Sequence, residues 1–203
     1  FEKQGKTTVV ISDNIRIKGV IGVIDEIRKE SYSMIKNLLK LNITPVILTG
    51  DNQSSAAYIA QKLGIKIVKA ELLPDQKVKE LSKLIHQYKH VAMVGDGVND
   101  APALASASVG ISMGAIGSDV AIENADIALM NDNLNMVTYL VELGKKCVEK
   151  IRFNIFSAVS VKFLFLFLAI GGWSNLALAI FADVGVTVLV ILNGLRLYGY
   201  RRD

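Results

Sequence analysis

The chain has 203 residues, a formal net charge of +4 and a hydrophobic fraction of 51%. Its mean hydropathy of +0.39 excludes an ordinary soluble protein, because one folded core and its surface do not hold that much apolar material. The basic residues are dispersed, which argues against nucleic-acid binding. Cys147 is the only cysteine, so the chain builds no disulfide framework and we expect its polar part to lie in the reducing cytosol.

The N-terminal region predicts a hairpin followed by a helix and a strand. Segments 6–12 and 16–24 are rich in β-branched residues and are expected to pair through a turn at Asp13-Asn14. An amphipathic helix is predicted near residues 28–41, and a buried strand is predicted at 44–50.

Strand and helix patterns then alternate to about residue 131. Helices are predicted at 54–64 and 75–88, the first of them ending at Gly64, a common C-terminal residue of helices. Strands are predicted at 66–70 and 90–96, and the segments at 109–113 and 126–130 are interpreted as short turns that close the pattern. This alternation predicts an α/β domain whose parallel sheet is covered on both faces. Ligands of such sheets bind beyond the carboxyl ends of the strands.

Two apolar runs follow, at 153–172 and 174–195, and each is long enough to cross a bilayer as a helix. Basic residues flank the pair on both sides, whereas the turn between the runs carries no charge. By the positive-inside rule, both ends of this membrane hairpin face the cytosol. The flanking residues are Lys145, Lys146, Lys150, Arg152, Arg196, Arg201 and Arg202. We therefore expect a multi-pass protein of the plasma membrane.

Acidic residues are crowded into a glycine-broken turn directly behind the strand at 90–96. Asp96 and Asp100 supply two carboxylates, and Asn99 supplies an amide. Mg²⁺ takes oxygen ligands of this kind and usually keeps waters and a substrate phosphate in its shell. The turn therefore predicts a magnesium site used with a phosphate group.

A second polar group ends the strand at 44–50 and consists of Thr49, Gly50 and Asp51. Taken alone, this triplet is typical of an ordinary turn. The helix between the two strands carries Lys77, so a hydroxyl, a lysine and metal-binding acids are predicted to meet at one edge of the sheet. Phosphoryl transfer needs these groups, because it depends on positioning and on neutralising phosphate charge.

Two other features have ordinary explanations. His86 and His90 have the spacing of a zinc pair on a helix face, but no third ligand is near them in the sequence. We expect them to lie at a solvated helix end. Cys147 lies in a charged helical segment and is not expected to be a catalytic or ligand residue.

Three motifs together resemble the phosphorylation domain of P-type ATPases, which has a haloacid-dehalogenase-like fold. They are TGDN at 49–52, LLPDQK at 72–77 and GDGVNDAPAL at 95–104. The resemblance implies that Asp96 ligates Mg²⁺, that Asp100 supports this metal site and that Asn99 holds the phosphate. It implies that the residues that contact the phosphoryl group or ATP are Thr49, Gly50, Asp51 and Lys77.

The resemblance also implies the domain boundaries. The segment DEIR at 25–28 looks like the hinge between the nucleotide-binding and phosphorylation domains. Residues 1–24 would then end the nucleotide-binding domain, and 25–131 would form the phosphorylation domain. A helical linker is expected at 132–152, and two transmembrane helices with a basic tail at 153–203.

The nucleophile of this family is the aspartate of a D-K-T-G-T segment, and the chain contains no such segment. The nearest imitation, DVGVT at 183–187, lies inside the second apolar run, where ATP cannot reach it. The T-G-E segment of the actuator domain is also missing. We therefore expect the C-terminal portion of an ion pump whose nucleophile lies upstream, and we expect the chain to be inactive by itself.

The membrane hairpin predicts which ion is moved. Lys162 and Asp183 are the only ionisable residues of the two runs, and such residues in a span usually have a function. A lysine in the first helix and the Asp-x-Gly at 183–185 resemble the zinc-, cadmium- and lead-transporting branch. The copper branch would show Tyr-Asn and Met-x-x-Ser-Ser here. We expect Asp183 to bind the transported cation, and Lys162 to act as its countercation and to pair with Asp183 at the same depth.

Two other interpretations remain open. A membrane-tethered phosphatase of the same superfamily would need an N-terminal D-x-D, which the chain lacks. A non-catalytic, metal-binding membrane protein would need no nucleophile. The sequence does not rank zinc, cadmium, lead and cobalt, because a carboxylate accepts several of them.

Overall fold

The structure is a computed structural model that describes residues 6–13, 16–23, 26–97, 99–114 and 119–200. Among the predicted features, Asn14, Asp25, Arg201 and Arg202 lie outside the described residues. The chain divides into two compact units, Phe1–Thr138 and Tyr139–Asp203, and each is described by itself.

The first unit begins with the predicted hairpin. Strand β1 (Thr7–Ser12) pairs antiparallel with β2 (Ile17–Val23), and Thr7 lies opposite Val23. Asp13 closes the turn by accepting a 2.9 Å hydrogen bond from the backbone N–H of Arg16. The valines and isoleucines of both strands are exposed, so the hairpin carries an apolar surface patch.

Helix α1 (Lys29–Lys40) leads into a first parallel pair of strands. Strand β3 (Val46–Leu48) lies beside β4 (Ile67–Lys69), and helix α2 (Gln53–Leu63) connects them. The α2 helix begins at Asn52, whose side chain accepts a hydrogen bond from the backbone of Ser55. It ends at Gly64, which has a positive φ of 71°, as predicted.

A second parallel sheet contains three strands. Helix α3 (Pro74–Tyr88) leads to β5 (Ala92–Gly95), and helix α4 (Ala101–Ser106) leads to β6 (Val109–Met113). Helix α5 (Asp119–Glu123) and strand β7 (Ile127–Leu129) complete the order β5-β6-β7.

The interpretation of 109–113 and 126–130 as short turns is wrong, because these segments contain β6 and β7. Ile111 and Ser112 at the centre of β6 are almost fully buried. A Cβ at Gly110 would lie 2.6 Å from the carbonyl oxygen of Leu104, so this glycine allows helix α4 to pack directly on the strand. The burial that makes β6 a strand comes from this packing, which periodicity within five residues does not reveal.

The core of the first unit lies between α3, β5 and α4. Leu81, Met93, Ala103 and Leu104 form a buried cluster, and Leu48 at the end of β3 packs against it. Strands β3 and β5 therefore end near the same core. No ladder joins them in the part of the chain that the structure describes, so the predicted sheet is divided into two parallel sheets.

The second unit is helical. Helix α6 (Asn135–Ile170) begins at the end of the first unit, and α7 (Leu176–Leu195) returns antiparallel to it. Both α6 and the segment Ala177–Leu195 contain stretches long and apolar enough to span a membrane. The predicted linker at 132–152 is mostly continuous with the first span, because α6 runs through both without a break.

Candidate active site

The turn after β3 is held in place by its own polar groups. The Thr49 hydroxyl donates a 2.8 Å hydrogen bond to Oδ2 of Asp51 and accepts a 3.1 Å bond from the Asp51 N–H. The carbonyl of Thr49 accepts a hydrogen bond from the N–H of Leu72, and that of Asp51 accepts one from Glu71. These bonds attach the residues before α3 to the end of β3.

The turn after β5 presents an exposed carboxylate. Oδ1 of Asp96 accepts a 3.1 Å hydrogen bond from the backbone N–H of Asn99, and Oδ2 accepts a 3.2 Å bond from the Asn99 amide. Gly97 adopts a positive φ of 81°, a conformation that a side chain disfavours. The glycine thus allows the turn to fold back so that Asp96 and Asn99 meet.

Lys77 and Asp100 form an ion pair between the two turns. Nζ of Lys77 lies 2.6 Å from Oδ1 of Asp100, and their side chains are only 14% and 17% exposed. A Cβ on Gly95 would lie 2.9 Å from both the Cβ and Oδ2 of Asp100. Glycine at position 95 is therefore what allows the Asp100 side chain to lie against the strand end and face the lysine.

The predicted site residues fall into three directly bonded pairs. These pairs are Thr49 with Asp51, Asp96 with Asn99, and Lys77 with Asp100. Gly50 lies between the first two residues, and a Cβ there would come within 3.3 Å of the carbonyl oxygen of Leu72. Helix α3 connects the pairs, since the residues just before it are bonded to the first turn and its Lys77 reaches Asp100 at the second.

The exposed Asp96 carboxylate is an oxygen donor of the kind that Mg²⁺ uses. No group of three or more His, Cys, Asp or Glu side chains able to hold a metal occurs in the described residues. Mg²⁺ needs no such cage, because it binds through one or two carboxylates and takes its other oxygens from water and phosphate. The partly buried Lys77–Asp100 pair brings an ammonium group to the same turn as Asp96.

The membrane hairpin contains the second set of predicted residues. Nζ of Lys162 in α6 lies 3.1 Å from Oδ1 of Asp183 in α7. The two side chains thus meet, as the helix geometry predicts. Both remain more than half exposed in this hairpin, with 66% and 53% of their side-chain surface open.

The sequence did not predict two side-chain contacts in the first unit, which link the region of α1 to the start of α6 and the residues before it. Arg28, at the end of the predicted hinge, lies 2.7 Å from Asp132, and the Ser33 hydroxyl donates a 2.7 Å bond to Asn135 at the start of α6. The side-chain hydrogen bond from Arg28 lowers the pKa of Asp132 below its ordinary value. No local signal indicates these contacts, because the partners are far apart in the chain.

Comparison with known proteins decides the family. The profile of the haloacid dehalogenase-like hydrolases matches residues 1–108. The chain belongs to this family. This haloacid dehalogenase-like chain is 47% identical over 198 residues to the cadmium-transporting ATPase of Staphylococcus aureus, covering 97% of this chain and 27% of that protein. It is 44% identical over 197 residues to the zinc/cadmium/lead-transporting P-type ATPase of Escherichia coli K12, covering 97% and 26%.

A solved structure agrees with these relatives. The crystal structure of a zinc-transporting PIB-type ATPase in the E2.Pi state is similar, with a TM-score of 0.87 and 44% identity over 97% of this chain and 32% of that one. The predicted fold class and the predicted resemblance to heavy-metal P-type ATPases are thereby confirmed. The chain spans about a quarter of the length of the curated relatives described above.

Proposed function

We propose that the chain forms the C-terminal part of an ATP-driven pump that exports divalent heavy-metal cations such as zinc, cadmium and lead. The observation that carries the proposal is the coexistence of two sites in one chain. The Lys77–Asp100 pair beside Asp96 suits phosphoryl transfer, and the Lys162–Asp183 pair lies in helices that can span a membrane. The likeness to cadmium and zinc transporters supports the same assignment.

ATP and Mg²⁺ are the proposed cofactors of the first site. Mg²⁺ supplies positive charge that neutralises the phosphate during transfer. Asp96 would hold the cation, and Asp100 would support this position while orienting the Lys77 ammonium toward the phosphate. The backbone N–H at Gly50 and the Asn99 amide would donate to the phosphoryl oxygens, and the Thr49 hydroxyl would join them by exchanging its bond to Asp51 for one to the phosphate.

The division of the sheet supports a nucleophile that lies upstream. Strands β3 and β5 carry the two halves of the site at their carboxyl ends, and both pack on the cluster that contains Leu81. Among the described residues, no backbone hydrogen bonds of a sheet join β3 to β5. We place a further strand between them, and its own carboxyl end would present an aspartate to the phosphate held by Lys77 and Asp96.

The domain assignment follows from the same proposal. The hairpin within 1–24 would end the nucleotide-binding domain and bury its exposed apolar side chains there. Residues 25–131 would form the phosphorylation domain, 132–152 the helical linker, and 153–203 the last two membrane helices. By the positive-inside rule, the basic residues at both ends of the hairpin support a cytosolic location of these ends and the first unit, with the helices in the plasma membrane.

Asp183 is the proposed ligand of the transported cation. A divalent ion entering from the cytosol would draw this carboxylate away from Lys162. The ammonium group then remains beside the bound ion as a built-in positive charge, which favours release. Either charge alone at the centre of a bilayer costs about 2.5 to 3.5 kcal/mol on insertion scales, so the resting pair offsets most of that cost.

The test uses the complete pump, meaning this chain together with the preceding segments of such a transporter. Asp183→Ala is expected to abolish stoichiometric zinc binding at the membrane site and zinc-stimulated ATP hydrolysis. Lys162→Ala should keep binding but slow release. Ser160→Ala, a polar residue of the same α6 segment, is the control and should leave turnover unchanged. Normal zinc- and cadmium-stimulated turnover in Asp183→Ala would rule out this transport site.

A further inference from the structure

Polar side chains also connect α6 and α7 near the end of the hairpin opposite its turn. Nζ of Lys150 donates a 3.0 Å hydrogen bond to Oδ1 of Asn193. Nδ2 of Asn193 donates a 2.6 Å bond to Oδ1 of Asn154, and Nδ2 of Asn154 reaches the carbonyl oxygen of Val190 at 3.4 Å. We call Lys150, Asn193 and Asn154 the polar relay. All three are half-buried, unlike the exposed apolar residues around them.

The chemistry of the relay allows only one arrangement of its amides. A lysine ammonium can only donate, so the oxygen of Asn193 must face Lys150. The NH₂ group of Asn193 then faces α6, where it requires the oxygen of Asn154 as acceptor. The NH₂ group of Asn154 is left to donate to the backbone of α7 at Val190. Each amide uses both of its ends, and the relay joins the helices at three points.

The relay and the ion pair require the same alignment of the two helices. Lys162 lies eight residues after Asn154 in α6, and Asp183 lies ten residues before Asn193 in α7. At a rise of about 1.5 Å per residue, both separations are near 12 to 15 Å along antiparallel helices. A slip of one turn moves the helices by about 5.4 Å, which breaks the relay and separates the ion pair together.

Apolar helix faces in a membrane specify their alignment weakly, because lipid tails are as apolar as the side chains they would replace. Interhelical hydrogen bonds supply the missing specificity. The ion pair cannot supply it throughout a transport cycle, since a cation bound to Asp183 would open that pair. The relay lies well away from Asp183 and contains no carboxylate, so a bound divalent cation does not compete for it.

We infer that the polar relay holds α6 and α7 in the register that places Lys162 opposite Asp183, including when the ion pair is open. Asn154 and Asn193 are then positioning residues for the cation site. The inference deepens the proposed function and rests on it, because the level of Lys162 and Asp183 matters for transport only if the hairpin carries the cation. The register itself, however, can be measured without transport.

The experiment reads the register by cross-linking the 203-residue chain in vesicles of phosphatidylethanolamine and phosphatidylglycerol, with Cys147→Ser throughout. Lys162→Cys is combined with Asp183→Cys, or with Ala179→Cys or Thr187→Cys one turn to either side. Lys162→Cys removes the ion pair from all three variants, and the two offset pairs also carry Asp183→Ala so that none retains an unpaired carboxylate. A short bis-thiosulfonate reagent is added, and cross-linked peptides are quantified by mass spectrometry.

With the relay intact, the pair at positions 162 and 183 is expected to cross-link faster than both offset pairs. Asn154→Leu with Asn193→Leu should reduce this preference by about threefold or more, the population change that a single interhelical hydrogen bond in a membrane supports. Asn175→Leu is the matched control, because the Asn175 side chain bonds only within its own helix, to Leu178. An unchanged preference after the double substitution would overturn the inference.

A second variant tests the inference if the protein with both asparagine substitutions fails to insert into the vesicle membrane. Lys150→Met keeps both amides but removes the donor that orients them, and it should also reduce the preference. An unchanged preference in Lys150→Met overturns the inference in that case. Asn193→Asp keeps an acceptor for Lys150, and its second carboxylate oxygen can accept from Nδ2 of Asn154 once that amide turns over, so this variant should retain most of the preference.

Zinc-dependent ATP hydrolysis by the complete pump distinguishes a positioning role of the relay from a general loss of structure. Relay variants should raise the zinc concentration for half-maximal ATP hydrolysis severalfold while leaving the rate at saturating zinc nearly unchanged, because bound zinc can still select the aligned state. A lower rate at saturating zinc with an unchanged half-maximal concentration contradicts a positioning role. Normal turnover of Asp183→Ala together with a relay-dependent register would refute the transport proposal alone.

Discussion

At the residue scale, Asp96 and Asp100 lie in the same turn but have different surroundings. Asp100 is largely buried against Gly95 and faces the ammonium group of Lys77. Asp96 is exposed and accepts hydrogen bonds from Asn99. A cation approaching from solvent therefore meets Asp96 first, whereas the charge of Asp100 is already compensated by a lysine.

Asp96→Asn in the complete pump should nearly abolish phosphoenzyme formation at limiting Mg²⁺. The substitution removes the negative charge that holds the cation but keeps an oxygen for the backbone N–H of Asn99, so the fold should persist. The measurement is acid-stable incorporation of labelled phosphate from ATP as a function of Mg²⁺. Asp119→Asn, an exposed aspartate of α5, serves as the control, and an equal response of both variants would remove Asp96 from the site.

Gly95→Ala should destabilise the first unit by about 1 to 3 kcal/mol, the usual cost of overpacking. The added Cβ would lie 2.9 Å from the Cβ of Asp100, so the aspartate must move and the bond to Lys77 must lengthen. Urea unfolding of the chain in detergent measures the loss. Gly19→Ala is the control, since a Cβ there meets nothing within 4 Å, and equal stability of the two variants would contradict the close approach at Gly95.

At the element scale, an ion pair connects the start of α1 to the segment before α6. Arg28 lies beside Asp132, and its hydrogen bond keeps the pKa of that carboxyl below the usual value. Because both side chains are more than half exposed, solvent weakens the pair and its contribution to stability is small. The contact nevertheless joins the predicted hinge to the segment that leads into α6.

The lowered pKa of Asp132 predicts how the contribution of the Arg28–Asp132 pair to stability depends on pH. A carboxyl with a lowered pKa in the folded state stabilises the fold above its unfolded pKa, and the contribution disappears as the pH falls through the folded value. Arg28→Gln should therefore lower the melting temperature slightly at pH 7, and this effect should shrink as the pH falls and Asp132 becomes protonated. Lys29→Gln, an exposed neighbour with the same charge change, should have less effect at pH 7. A pH-independent difference for Arg28→Gln would contradict the pair.

At the scale of the whole molecule, the residues of the proposed phosphoryl-transfer site and the Lys162–Asp183 pair lie in different units. The first unit divides the proposed phosphoryl-transfer site between two sheets, and the second unit is a helical hairpin. In the proposed pump, the connection between them is the unbroken α6 helix, which begins in the first unit and carries Lys162 in its apolar part.

The chain by itself should form no acid-stable phosphoenzyme with ATP and Mg²⁺. Lys77 pairs with Asp100 at the proposed phosphate site, but no D-K-T-G-T segment in the sequence supplies the nucleophile. Adding the upstream segment with D-K-T-G-T in the same polypeptide should restore labelling, and changing that aspartate to alanine should remove it again. A covalent aspartyl phosphate on the isolated chain would overturn the assignment.

The sequence alone determined the features that depend on neighbours along the chain. Gly64 ends α2 because an αL residue needs no distant partner, and Asp96 bonds to Asn99 only three residues further along the chain. The meeting of Lys162 with Asp183 also followed from the sequence, since a regular helical rise converts residue counts into depth. Tertiary structure decided what depends on distant partners: the burial that makes 109–113 a strand, the division between β3 and β5, and the contact of Arg28 with Asp132. It also decided the polar relay, because an asparagine in an apolar helix carries no local sign of which amide it will face.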